Sequence, residues 1–125
     1  MDIYSEIILD HYYHPRHGVR LSSPTATAEE FNPVCGDKVL VDILIENSRC
    51  HDIGVITEGC AISRAAGSLL AEAIKGQPVE VINAFASDDV IALLGVTINP
   101  ARVKCALLGW SAIKSAVAKS NTASK

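Results

Sequence analysis

The stretch Lys38 to Thr57, KVLVDILIENSRCHDIGVIT, decides the fold. Its first nine residues are dense in Val and Ile and end at Asn47-Ser48, after which Ile53 to Thr57 reads as a second β-rich run. The pattern predicts an antiparallel hairpin. Directly behind it, Cys60 stands at the entry to AISRAAGSLLAEAIKG, where Ile62, Ala66, Leu69, Leu70 and Ala73 recur at helical spacing and Gly76 closes the run.

Outward from that core, the upstream segment Arg16 to Phe31 holds Gly, Ser, Pro and Thr without clear periodicity and reads as a loop, except that TATAEEF predicts a brief edge strand. Asp2 is placed to cap a first helix with Ile3, Ile7, Ile8 and Tyr12 on one face, ended by His14-Pro15. Downstream, Pro78 opens one helix and Ser87 caps another, DDVIALL, which Gly95 stops. Asn99-Pro100 starts a long helix to about Lys119, with Val103, Ala106, Leu107, Trp110, Ile113 and Val117 on one stripe. Residues 119–125 are expected to fray. The predicted fold class is α+β, a small antiparallel three-stranded sheet packed on one face by several helices, in a single domain over residues 1–125.

At 125 residues and 49% hydrophobic, the chain can bury one real core without disulfides. Its formal charge of −3, with scattered Lys and Arg, argues against nucleic acid and against an anionic membrane surface as partners. The first residues carry acids and no long apolar run, so a cytoplasmic location is expected. In a reducing compartment four cysteines are thiols, metal ligands or redox groups rather than staples, and their spacing contains no C-x-x-C.

Each cysteine has its own setting. In the extended run NPVCGD, Cys35 and Asp37 are two residues apart and point the same way, presenting sulfur and oxygen to one place, and Gly36 between them permits a tight bend. Cys60 follows Gly59 at a helix start, among unsatisfied N–H groups and at the positive end of the helix dipole, where a sulfur anion is favoured. Cys105 falls in the second turn of the last helix, nearly opposite the stripe of Val103, Leu107 and Trp110, so it is not expected to be there for packing. Cys50 and His51 sit in what reads as the hairpin connection or its exit and are expected to be surface residues without a role. Cys35, Asp37, Cys60 and Cys105 thus form a candidate four-ligand set from three segments, suited to tetrahedral zinc or to an iron-sulfur cluster. One carboxylate among thiolates marks a ligand that can let go. Three thiolates and a carboxylate carry −4, so a 2+ cluster or zinc leaves about −2, and Lys104 or Arg64 are candidates to offset it.

The segments YSEIILDHYYHPRHG, NPVCGD, EGCAIS and RVKCALLGW, in this order over nearly the whole chain, resemble the IscU/SufU/NifU-type iron-sulfur cluster assembly proteins. The resemblance implies a scaffold rather than an enzyme. It would accept sulfur from a cysteine desulfurase, transiently bind a 2Fe-2S cluster on Cys35, Asp37, Cys60 and Cys105, and hand the cluster to apo iron-sulfur acceptor proteins. Cys105 or Cys35 would be the sulfur-accepting thiolate. Two branches differ here. IscU-type scaffolds carry a His before the last site cysteine and a Leu-Pro-Pro-Val-Lys chaperone motif; this chain has Lys104 and Asn99-Pro100-Ala101-Arg102-Val103, which speaks against a dedicated chaperone. GCAIS and RVKCA resemble the SufU branch, whose members act as zinc-dependent sulfur acceptors, although the stretch from Cys60 to Cys105 is too short for that branch's usual insertion.

Overall fold

In the computed structural model, which describes residues 6–33, 36–95 and 98–123, the hairpin turn falls on Asn47 and Ser48, both at positive φ (54° and 59°). Two such residues make the tight turn whose twist matches paired strands. The turn joins β2 (Asp37–Glu46) to β3 (Arg49–Glu58), and β1 (Ala26–Asn32) pairs antiparallel with β2, giving the order β1-β2-β3. The sheet is the predicted three-stranded one. TATAEEF is more than a brief excursion: β1 runs seven residues, in register from Ala26↔Ile43 to Asn32↔Asp37.

The helices are α1 (Glu6–Tyr13), α2 (Ala61–Ile74), α3 (Val79–Ala84), α4 (Ser87–Leu94) and α5 (Pro100–Ala123). On β2 the odd residues Val39, Val41 and Ile43 are fully buried under α5, while α2 packs on β3. Each such side chain contributes roughly 1.5–3 kcal/mol of transfer free energy. A second cluster of Ile8, Ile62, Ala65, Ala66, Leu94 and Ala106 joins α1, α2, α4 and α5. Where α2 crosses α5, Gly109 faces Gly67 so closely that a Cβ on Gly109 would stand 3.4 Å from the Gly67 Cα.

The loop from α1 to β1 crosses the other face of the sheet and is tied to it by Asp42, 1% exposed at the centre of β2. Arg20 Nε donates to Asp42 Oδ2 at 2.6 Å, Leu21 N–H to the same oxygen at 3.0 Å, and Thr27 Oγ1 to Oδ1 at 2.6 Å. Burial alone would raise the Asp42 carboxyl, but these hydrogen bonds and the Arg20 charge outweigh it and hold the group below the ordinary carboxylate value.

Several boundaries differ from expectation. The α1 face turned to α2 is Ile8 and His11, while Ile7 is 48% exposed; the Asp2 cap and Ile3 lie outside the described residues. His11 belongs there because Ser68 satisfies it: Ser68 Oγ accepts Arg16 N–H at 2.8 Å and lies 2.7 Å from Nδ1. With Ser68 donating to Nδ1, Nε2–H faces Glu72 Oε1 at 3.7 Å. The N-cap of α4 is Ala86 rather than Ser87, its N–H bonded to the Asp89 carboxylate at 2.8 Å. α5 continues to Ala123, past the point where fraying was expected.

Cys50 overturns its expectation. It lies inside β3 and is fully buried, because the ladder passes from Leu44↔Asp52 to Ile45↔Cys50 and leaves His51 as an extra residue. Strict alternation would put Cys50 on the outer face with Asp52 and Gly54; the bulge turns it into the core. Burial pushes its thiol up to about 11. His51 is exposed as expected, 3.4 Å from Glu46.

Candidate metal centre

The β1-β2 connection closes with Gly36 N–H donating to Asn32 O at 2.8 Å and Gly36 at φ 77°, the bend expected of that position. Asp37 follows as the first residue of β2, on its inward face and 3% exposed. From the far end of β3 the chain turns through Gly59 into α2, with Cys60 as its N-cap residue in extended conformation (φ −74°, ψ 169°). Cys60 makes no side-chain cap bond; instead its N–H donates to Asp37 Oδ1 at 3.3 Å, and its Sγ lies 3.7 Å from Asp37 Oδ2. Ser63, one turn into α2, donates to Cys60 O at 3.0 Å and holds its Oγ 3.7 Å from Cys60 Sγ.

Gly59 makes this approach possible. A Cβ there would stand 2.6 Å from Asp37 Cγ and 2.8 Å from Ser63 Oγ, and would overlap Asp37 Oδ1. No other residue type leaves room for the carboxylate.

Cys105, 5% exposed on α5, completes a triad: one ligand atom each from Asp37, Cys60 and Cys105, all within 4.8 Å of one another. In a tetrahedral zinc site with Zn–S near 2.3 Å, neighbouring ligand atoms stand about 3.8 Å apart, so small rotations bring these three onto one ion. The donor chemistry fits both zinc and an iron-sulfur cluster. The three atoms border an open cleft of about 580 Å³ that is also lined by Gly36, Glu58, Gly59 and Arg102.

Three of the four residues expected to form the site therefore meet, and the fourth, Cys35, lies outside the described residues. Cys105 does so from a buried position, against the expectation that it stands apart from the packing. The buried side of α5 runs through Cys105, Ala106, Leu108, Ala112, Ile113, Ala116 and Val117, while Val103, Leu107 and Trp110 are only half-buried. Neither cation expected at the site lines the cleft. Arg64 stacks on Tyr12 at 4.7 Å, and Lys104 borders a neighbouring groove with Phe31, Pro33 and Trp110. Sequence reasoning missed Arg102, Glu58 and Ser63; Arg102 and Ser63 stand three residues from Cys105 and Cys60, a helical turn that would have pointed to both.

The model of the NifU-like N-terminal domain matches residues 3–125. The chain belongs to that family. Among its curated relatives, the zinc-dependent sulfurtransferase SufU of Bacillus subtilis is 34% identical over an alignment covering 94% of this chain and 90% of that protein. The iron-sulfur cluster assembly scaffold protein IscU of Haemophilus influenzae is 33% identical, with 92% and 93% covered. Among solved structures, FiSufU of Fervidobacterium islandicum superimposes with a TM-score of 0.78 at 27% identity, covering 92% of this chain and 96% of that one. A NifU-like N-terminal structure from Brucella abortus gives 0.84 at 20% identity, a likeness of fold, with 96% and 95% covered. No helix among the described residues is long and apolar enough to cross a membrane.

Proposed function

We propose that this chain is an iron-sulfur cluster assembly scaffold acting as one domain in the cytoplasm. It accepts sulfur from a cysteine desulfurase, carries a 2Fe-2S cluster as cargo on Cys35, Asp37, Cys60 and Cys105, and releases the cluster to apo-proteins without a dedicated chaperone. It is a holder rather than a catalyst. The observation that carries this reading is the meeting of Asp37, Cys60 and Cys105 within 4.8 Å, from three separate elements, at the edge of an open cleft. A structural zinc site favours Cys and His ligands throughout; here one corner is a carboxylate whose partners among the described residues are the Cys60 N–H and Sγ, a harder and more readily exchanged ligand. Gly59 keeps that carboxylate beside Cys60, Ser63 fixes the Cys60 carbonyl, and the cleft admits the acceptor.

The relation to the Bacillus subtilis protein supports a second reading, in which the same residues hold zinc and one thiolate takes and passes on sulfur. Anaerobic incubation with iron, cysteine and a desulfurase separates them. The scaffold develops iron-sulfur absorbance and transfers it to an apo-ferredoxin, more slowly in Asp37→Ala. The carrier develops none and raises desulfurase turnover only when zinc-loaded. A chain that does neither removes both readings.

A further inference from the structure

Sulfur transfer onto this site gathers negative charge in one place, and the cleft offers one cation among the described residues that line it, Arg102. Asp37 and the two site cysteines are already acidic groups within 4.8 Å of one another, and Glu58 adds a carboxylate to the wall. Arg102 stands three residues before Cys105 on α5, one helical turn away, so the two side chains share a face with Cβ atoms about 5–6 Å apart. Its backbone is fixed in the first turn, where Arg102 N–H donates to Asn99 O at 2.7 Å. Of the other basic residues near a site cysteine in sequence, Arg64 stacks on Tyr12, Lys38 pairs with Glu29 at 3.3 Å, and Lys104 borders a neighbouring groove rather than the cleft.

We propose that Arg102 is the specificity-determining residue for sulfur acceptance, its guanidinium pairing with the terminal sulfur of an incoming persulfide while Cys105 attacks it. This rests on the reading of the site as a sulfur acceptor. The step balances without an outside oxidant. The Cys105 thiolate forms a bond to the terminal sulfur of R–S–SH, the donor's S–S bond breaks, and its electron pair leaves on the donor sulfur as a thiolate. The proton stays on the transferred sulfur or passes to water. A thiolate thus approaches a group that is itself acidic and expels another anion, and a cation lining the same cleft offsets that like-charge encounter. Glu58 acts in the opposite sense and discourages donors lacking a group for Arg102.

The test uses the full chain, as purified, with cysteine persulfide as donor, following by mass spectrometry the addition of one sulfur atom to Cys105 over a range of donor and salt concentrations. Arg102→Gln raises the half-saturating donor concentration roughly five- to tenfold and flattens its salt dependence, the signature of a lost charge at the rim of a binding site. Arg102→Lys keeps the salt dependence and most of the affinity, and Glu58→Gln shifts the half-saturation the other way. As a second readout, alkylation of Cys105 by anionic iodoacetate slows relative to neutral iodoacetamide in Arg102→Gln by a similar factor. If Arg102→Gln matches the parent in half-saturation, salt dependence and alkylation ratio, the role is overturned while sulfur acceptance stands. If the parent takes up no sulfur from any persulfide, the reading of the site falls and this role with it.

Discussion

Gly59→Ala adds a single methyl group, and the structure says where that methyl must go. The new Cβ would stand 2.6 Å from Asp37 Cγ and 2.8 Å from Ser63 Oγ, well inside contact distance, and would overlap Asp37 Oδ1. Ser63 is 1% exposed and bonded to Cys60 O, so the carboxylate is the group that yields. Swinging away, it loses the Cys60 N–H bond and leaves the 3.7 Å approach to Cys60 Sγ. A hydrogen bond to a charged group is worth roughly 1.5–3 kcal/mol, and Gly→Ala returns about 0.4–1 kcal/mol by restricting the unfolded chain. The expected net destabilisation is about 1–2 kcal/mol, or about 4–8 °C in melting temperature for a chain of this size. Zinc affinity falls further, by about 10–100-fold, if Asp37 is the ligand proposed above. Thermal melts followed by circular dichroism, with and without zinc, and a chelator competition titration measure both. A variant that melts like the parent and binds zinc as tightly would refute the argument that Gly59 makes room for Asp37.

Four further outcomes follow from the charges and thiols described above. Asp42, held below its ordinary value in the folded chain, binds its proton later than in the unfolded chain. Its stabilisation is therefore complete above the unfolded value of about 4 and lost as pH falls through the lower folded value; Asp42→Asn flattens urea-derived stability across that acid range and costs roughly 1.5–3 kcal/mol near neutrality, the worth of a hydrogen bond to a charged group. In His11, burial and the Arg16 charge lower the pKa against the pull of Glu72 and Asp10, so the unfolded chain takes up that proton first. Stability declines as pH drops below about 6.5 and until the folded value is reached, and His11→Gln removes that slope in the same urea series. Cys50, raised to about 11 and enclosed by the core, resists iodoacetamide at pH about 8 in the folded protein and reacts on denaturation. Cys50→Ala leaves zinc binding within about twofold of the parent, because it sits eight residues from Glu58 along β3, about 26 Å from the cleft end of the strand; Cys60→Ala and Cys105→Ala each abolish tight binding in the same titration.

The parts of this design that repeat or punctuate were legible in the sequence. Asp37 and Cys60 could be placed because a strand start and a helix start leave local marks, a bend at Gly36 and a break at Gly59. Their meeting could only be expected, since it depends on β2 and β3 pairing from Lys38↔Glu58 onward. Cys105 was put on the wrong side of α5 because large apolar residues dominate a periodicity count, whereas Ala106, Ala112 and Ala116 turn to the core through their smallness. One extra residue, His51, inverted the facing of Cys50, and a bulge has no strong sequence signal. His11 escaped notice for a related reason: a polar residue enters the core only when its partners, here Ser68 and Glu72, come from a distant segment.

The contact between Gly67 and Gly109 acts as a pivot for the two sulfurs. Cys60 stands seven residues before Gly67 and Cys105 four before Gly109, so at 1.5 Å per residue the arms from pivot to sulfur are about 10 Å and 6 Å long. The gap between the thiols is thereby set by how closely two backbones touch at a point that meets no cargo. A methyl group at Gly67 would stand 2.9 Å from Thr57 Oγ1 and 3.1 Å from Val55 Cγ1, pressing α2 away from β3 and moving the Cys60 arm while every residue of the site remained in the sequence. The size of what this chain grips is a property of its helix crossing as much as of the residues that do the gripping.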